Sequence, residues 1–286
     1  MIKGMSQDML ISVIIPFYGN ADIKRLEIVK QSIDLQRDIS IELIVSNSDG
    51  ITSPITLPKV INKGIKNSNG PFLYVSDSDV FFPSQYYFSS LLNLIKKGKE
   101  LVFKRPPMRR LLIEDFFTSY NLVQDEGYKK TVNNLNFSED YIVKLDDRPK
   151  NIKVFKKSEN GRIKTFIASE EDFISYLSES SNVGKEPKYF NQERHCGGTF
   201  LRKEHALEVG NYCEDFISWG CWDADFQWKL AETFDLEQIP YKSDYEVIHM
   251  DHPKGYFDKP KWDLDKNLQN DRRKLGAKKC ILNDRN

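Results

Sequence analysis

Near the start of the chain Ile11, Val13, Ile14 and Ile15 make an almost unbroken β-branched run, closed by Pro16, Tyr18 and Gly19. The run is too short for a buried helix and does not alternate with polar residues, so it suits a strand covered on both faces. Such strands belong to parallel sheets, whose crossover helices lie over the two faces. One short segment thus directs the chain toward an α/β architecture.

The residues that follow fit this frame. Ile23, Leu26, Val29 and Ile33 have helical spacing, residues 42–46 form a second short apolar run, and residues 72–76 a third. Pro83 and Ser84 are start signals for a helix carrying Tyr87, Leu91, Leu94 and Ile95. This order predicts right-handed βαβ units over the N-terminal third. Ligands of open α/β sheets sit beyond the carboxyl ends of the strands. Polar clusters fall at three such ends, at residues 18–20, 47–50 and 77–79.

The third cluster carries the most chemistry. Asp77 and Asp79 flank Ser78; on an extended strand alternate side chains share a face, which would let both carboxylates converge on one hard cation. An acidic turn ending the strand is the plainer alternative.

Residues 104–194 read as an insertion of helices and loops. Phe116, Tyr120 and Val123 before Gly127 look helical, as do Phe173, Ile174 and Leu177, whereas residues 146–164 are charged and unpatterned. Residues 199–202 read as a strand, followed by a helix from about Glu204 that Gly210 stops. Trp222, Phe226, Leu230 and Phe234 then recur every four residues, a buried helical stripe with Asp223 in its first turn. Residues 253–286 read as a solvated or docking tail, with contact to a membrane surface or a biosynthetic complex as the sharper alternative.

The 42 basic and 42 acidic residues balance, which removes any overall attraction for nucleic acid. The longest nearly apolar stretch is about half the ~20 residues of a membrane span, and residues 1–8 lack a secretory pattern. The expectation is a cytoplasmic protein, with membrane association through the tail as the variant. Cys196, Cys213, Cys221 and Cys280 have neither zinc-ribbon nor disulfide spacing.

Several spaced elements resemble the GT-A glycosyltransferases. The opening strand is similar to that of family-2-type enzymes, and Asn62, Lys63, Gly64, Asn69 and Gly70 are similar to the segment before their metal motif. Gly197 and Gly198, then Gly210, Asn211, Tyr212, and then Trp219, Gly220, Cys221, Trp222, Asp223 resemble the acceptor half of β-1,4-galactosyltransferases and chondroitin-type polymerases. The resemblance covers residues 11–252 apart from the middle insertion. Two departures stand out: Cys221 replaces a glycine, and Trp222 stands where glutamate is usual.

The resemblance implies a single GT-A, Rossmann-like α/β domain over residues 1–252, with a mostly parallel sheet. It implies a metal-dependent, inverting transfer of a hexose or N-acetylhexosamine from a UDP-sugar to a glycan or glycolipid acceptor, in surface polysaccharide or glycoconjugate synthesis. Mn2+ or Mg2+ would be held by Asp79, with Asp77 on metal or ribose and His252 or His249 as a further ligand. Pro16, Tyr18, Asn47, Lys63, Asp77, Ser78 and Gly198 would line the nucleotide-sugar site. Trp219, Gly220 and Trp222 would line the acceptor site, Trp222 being equally suited to core packing.

Asp223 would be the catalytic base. As a first-turn carboxylate it is also a natural helix cap, and the helix terminus would hold its pKa low. Two other functions compete: a carbohydrate or nucleotide binder that has lost catalysis, suggested by the missing glutamate, and a sugar nucleotidyltransferase, disfavoured because residues 18–20 do not resemble a basic glycine-rich phosphate loop.

Overall fold

In the computed structural model the described residues are 9–17, 19, 21–95, 101–111, 113–134, 141–145, 151–157, 163–169, 195, 197–218, 220–240, 243–250, 252 and 258–285. The apolar N-terminal run forms β1 (Leu10–Pro16), which pairs in parallel with β2 (Ser40–Ser46) on one side and β3 (Phe72–Val75) on the other. Its pleat sorts the core in two. Ile11, Val13 and Ile15 join Phe72 and Tyr74 of β3 in one buried cluster, while Ile14 joins Leu73 and Val75 in the second.

Helices cover both faces, as an unbroken apolar strand requires. α1 (Ile23–Asp34) and α3 (Tyr87–Ile95) bury Leu26, Val29, Leu91 and Leu92 in the first cluster. α2 (Leu57–Asn67) supplies Ile61 and Ile65 to the second. Asp22 caps α1 by accepting the Lys24 N–H at 2.9 Å.

β3 leads through a turn into β4 (Val80–Phe81). After α3 come β5 (Leu101–Lys104), β6 (Met108–Leu111), α4 (Ile113–Glu126) and α5 (Tyr128–Asn134), and further on β10 (Thr199–Arg202), α6 (Lys203–Glu208), α7 (Cys221–Ala231), β11 (Asp235–Gln238) and β12 (Val247–Met250). The main sheet has six strands in the order β11-β5-β10-β3-β1-β2. Only β10 runs against its neighbours, so the sheet is mostly parallel. A second sheet, β4-β12-β6, pairs β12 antiparallel to β4 and parallel to β6.

Two expectations need correction. The insertion is not only helices and loops: β7 (Tyr141–Leu145), β8 (Asn151–Lys157) and β9 (Ile163–Ser169) form an antiparallel three-stranded sheet across the stretch that looked unpatterned. Cross-strand pairing supplies order there that no local periodicity announces. Phe173, Ile174 and Leu177 lie outside the described residues.

The C-terminal segment, read as a solvated or docking tail, is not wholly solvated: it forms two helices, α8 (Lys259–Leu275) and α9 (Ala277–Arg285), with Asp265, Gln269, Arg272 and Cys280 buried. The Arg272 guanidinium is bidentate to Asp225 of α7 at 3.0 and 2.9 Å, and it also bonds Asp284. Lys229, fully buried, reaches Asp284 and the Asn211 carbonyl at 2.7 Å. Arg272 and Asp284 are thus paired with Asp225 and Lys229 inside the fold, while Lys259–Asp263 and Asp271–Lys274 of the same segment stay exposed. Among the described residues no helix is long and apolar enough to cross a membrane.

Candidate active site

The carboxyl end of β3 builds the site. Ser76 N–H donates to the Ile14 carbonyl at 3.0 Å, the last tie of β3 to β1, and Val80 N–H closes a turn on the Asp77 carbonyl at 3.4 Å. Asp77, Ser78 and Asp79 therefore lie in a turn rather than on a strand. The alternation that would have converged both carboxylates on one point does not hold, and the two acids go to different partners.

Asp79 faces two histidines. The antiparallel pairing of β12 with β4 sets His249 opposite Val80, and Met250 N–H donates to the Asp79 carbonyl at 2.8 Å. This register brings His249 Nε2 to 3.6 Å and His252 Nε2 to 2.9 Å from Asp79 Oδ2. One ligand atom from each of the three residues lies within 4.8 Å of the others. Asp79 Oδ1 is buried without a hydrogen-bond partner.

An orphaned carboxylate oxygen beside two imidazoles fits a divalent cation, since one hard oxygen and two borderline nitrogens suit Mn2+ and its neighbours. Burial works to raise the Asp79 pKa, but the charges of His249, His252 and His195, with the hydrogen bond from His252, pull it below the ordinary carboxylate range. The carboxylate is thus kept ionised, as a ligand must be.

Asp77 is engaged by a residue the sequence reading did not single out. His195 Nε2 lies 2.8 Å from Asp77 Oδ2, with the ring buried and its Nδ1 without a partner. His195 N–H donates to the Pro106 carbonyl, and Arg105 N–H to the Gly198 carbonyl, so the loop after β5 is laced to the segment entering β10. Arg105 has a φ of 55°, unusual for a side chain other than glycine. A signal for His195 was present: the chain has four histidines, and this one, two residues before Gly197, joins His249 and His252 at the site.

The two glycines sit in tight surroundings, Gly198 the more so. A Cβ at Gly197 would sit 3.0 Å from Asp77 Oδ2, and one at Gly198 would sit 2.6 Å from Pro106 Cδ and 2.9 Å from the Tyr74 hydroxyl. Gly220 starts α7 with a φ of 103°, which glycine adopts freely.

Asp223 lies in the first turn of α7, its Oδ1 accepting the Ala224 N–H at 2.7 Å. Its pKa is pushed up to about 7, against the expectation of a low value. Burial is the main cause and the Asp77 charge adds to it; the Ala224 N–H, Arg105 and His195 oppose them without prevailing. The helix-terminus effect of a few tenths to one kcal/mol is too small to offset loss of hydration. His195 acts electrostatically on both Asp79 and Asp223, so the cluster and the helix turn belong to one region.

The remaining residues divide. Pro16 ends β1, buried beside Ser46, and Ser78 is partly exposed in the turn. Asn47 accepts from Lys63 Nζ at 2.9 Å, and the same ammonium bonds the carbonyls of Asn47 and Asp49. Lys63 thus spends its donors on the loop after β2. Trp222 is 4% exposed and packs against Tyr212 with ring centroids 5.6 Å apart, so its ring has no face to offer a sugar. Tyr18 and Trp219 lie outside the described residues.

An α/β domain with a prospective cation cluster after β3 and β12 and a raised-pKa carboxylate in the first turn of α7 is the class that the fold and site define. No protein-family model matches the chain, and no curated protein matches it. Among solved structures it is similar to the catalytic domain of Drosophila β1,4-galactosyltransferase 7 in complex with xylobiose, with 10% identity over 90% of this chain and 79% of that one and a TM-score of 0.46. It is also similar to residues 1–349 of S. aureus TarS, with 12% identity over 91% of this chain, 64% of that one and a TM-score of 0.47. At these values the likeness is one of fold at most.

Proposed function

We propose that the protein is a metal-dependent, inverting glycosyltransferase that moves a hexose or N-acetylhexosamine from a UDP-sugar to a glycan acceptor. The observation that carries this reading is the Asp79–His249–His252 cluster, in the same region as the raised-pKa carboxylate of Asp223. The spaced glycine and Trp-Gly-Cys-Trp-Asp motifs support the same assignment.

In this reading Asp79, His249 and His252 would hold a divalent cation, which would supply charge stabilisation for a departing nucleoside diphosphate. Asp77, held by His195, faces the ribose or the cation. Asp223 accepts the proton from the acceptor hydroxyl as that oxygen attacks the anomeric carbon, and a pKa near 7 suits a base working near neutral pH. A base on the face opposite the leaving group gives displacement with inversion.

A second reading is supported by Trp222 standing where the resembling family has glutamate, and by its burial, which keeps it from replacing that polar contact: a nucleotide or carbohydrate binder without turnover. Incubating the purified protein with UDP-galactose and UDP-N-acetylglucosamine separates the two. Hydrolysis that requires Mn2+ and is lost in both Asp79→Asn and Asp223→Asn is the expected result. UDP binding without hydrolysis favours the binder, and turnover at full rate in both variants refutes the role assignments.

A further inference from the structure

The buried side chains of α8 are Asp265, Gln269 and Arg272. They share one face at positions i, i+4 and i+7, and all three are polar. Each reaches the segment that surrounds Gly220. Asp265, 1% exposed, accepts the Ile217 N–H at 3.0 Å and the Ser218 N–H at 2.6 Å. Gln269 Nε2 donates to the Cys221 carbonyl at 3.2 Å. Arg272 clasps Asp225, two positions beyond Asp223.

A helix buried through an apolar stripe gains from area and tolerates small slips, whereas directional bonds to named backbone groups set one register. At Ile217, 41% exposed, the chain has little side-chain packing, between Phe216 on one side and Cys221 and Trp222 on the other, which are buried in the core. The bonds of α8 therefore fix the path of the chain on both sides of Gly220, and with it the position of the first turn of α7.

We propose that α8 is a brace for the turn that bears Asp223, and that Asp265 is its positioning residue. It acts on the reaction only through the placement of Asp223 and touches neither donor nor acceptor. The inference rests on the reading of Asp223 as the base. It gives the C-terminal helices a part in turnover, although they lie outside every motif of the catalytic region.

The test uses the full chain with Mn2+, and compares wild type with Asp265→Ala, Asp265→Asn, which keeps one acceptor oxygen, and Gln269→Ala. Hydrolysis of UDP-galactose and UDP-N-acetylglucosamine gives kcat and KM, calorimetry gives UDP affinity, and hydrogen exchange follows the amides of Ile217 and Ser218. For Asp265→Ala, kcat should fall about ten-fold or more, as for a small displacement of a reacting group. KM and UDP affinity should stay near wild type, the two amides should exchange faster, and Asp265→Asn should recover part of the rate.

Wild-type kcat alongside faster exchange overturns the role, as does unchanged exchange, or a joint loss of kcat, KM and UDP affinity. If the Asp265 variants do not fold, Gln269→Ala decides: a lowered kcat at constant KM supports the brace, and full turnover overturns it. A wild type that neither hydrolyses the sugar nucleotides nor binds UDP refutes the underlying reading of the site and takes this role with it.

Discussion

His252 Nε2 lies 2.9 Å from Asp79 Oδ2, although most of the chain separates the two residues in sequence. The contact depends on β12 pairing with β4 and on the short step from Met250 to His252. A carboxylate and an imidazole that meet only through a strand register make a site that point substitutions can dissect without dismantling the main sheet.

Removing the carboxylate from this pair should remove the cation. In Asp79→Asn, Mn2+ affinity measured by electron paramagnetic resonance should fall by about 100-fold or more, at or above the top of the range for losing a ligand's outer partner. Far-UV circular dichroism should be unchanged. Wild-type affinity in this variant would remove Asp79 from the ligand set.

Asp223 makes a prediction in pH. Its folded pKa of about 7 lies above the ordinary 3.8, so between those values the folded state binds the extra proton and stability falls as pH rises. Asp223→Asn keeps the oxygen facing Ala224 and has no charge to bury. With chelator present, its melting temperature should exceed that of wild type by a few degrees at pH 8, for a gain on the order of 1–2 kcal/mol, and converge toward it near pH 4. A variant that melts below wild type at pH 8 would contradict the burial of this charge.

In the proposed mechanism the same group governs turnover. A base must be unprotonated to accept a proton, so donor hydrolysis should rise with pH and level off above an apparent pKa near 7. Asp223→Asn should lower the plateau by about 10²–10⁴-fold. A flat wild-type profile from pH 5 to 9 would assign the proton transfer elsewhere.

Gly198 has no room for a methyl group, because Pro106 and the Tyr74 hydroxyl crowd its Cβ direction. Gly198→Ala should cost about 1–3 kcal/mol, read as a lower urea midpoint. An unchanged midpoint would mean that the loop after β5 gives way freely.

Arg272 is the hub of the buried ionic cluster. Arg272→Ala leaves Asp225 and Asp284 without their shared guanidinium, and should destabilise the protein by about 3–5 kcal/mol. Thermal unfolding monitored by circular dichroism measures this, and a loss below about 1 kcal/mol would place these charges in solvent.

Much of this arrangement was legible in the residues. The β-branched run of β1 and the spacings in α1 and α3 report burial directly, because burial is what creates the pattern. Asp79 was marked by a strand end and Asp223 by a helix start, whereas the grouping of His249 and His252 with Asp79 and the base role of Asp223 came from the family resemblance. The division of labour between Asp77 and Asp79 was not legible, because it depends on where β3 stops and a turn begins, a difference of two residues. His195 and Arg105 were missed because their importance lies in cross-chain contacts with Asp77 and Gly198. The C-terminal helices were misread because Lys229, Asp225, Arg272 and Asp284 look solvated one at a time and cohere only as a group.

The pairing of β12 with β4 also has a consequence for biosynthesis. A nascent polypeptide that has emerged only as far as β11 holds one carboxylate of the cluster and neither His249 nor His252. The three side chains can therefore meet only once β12 has been made and has paired with β4, so that a cation held by all three would report a completed second sheet.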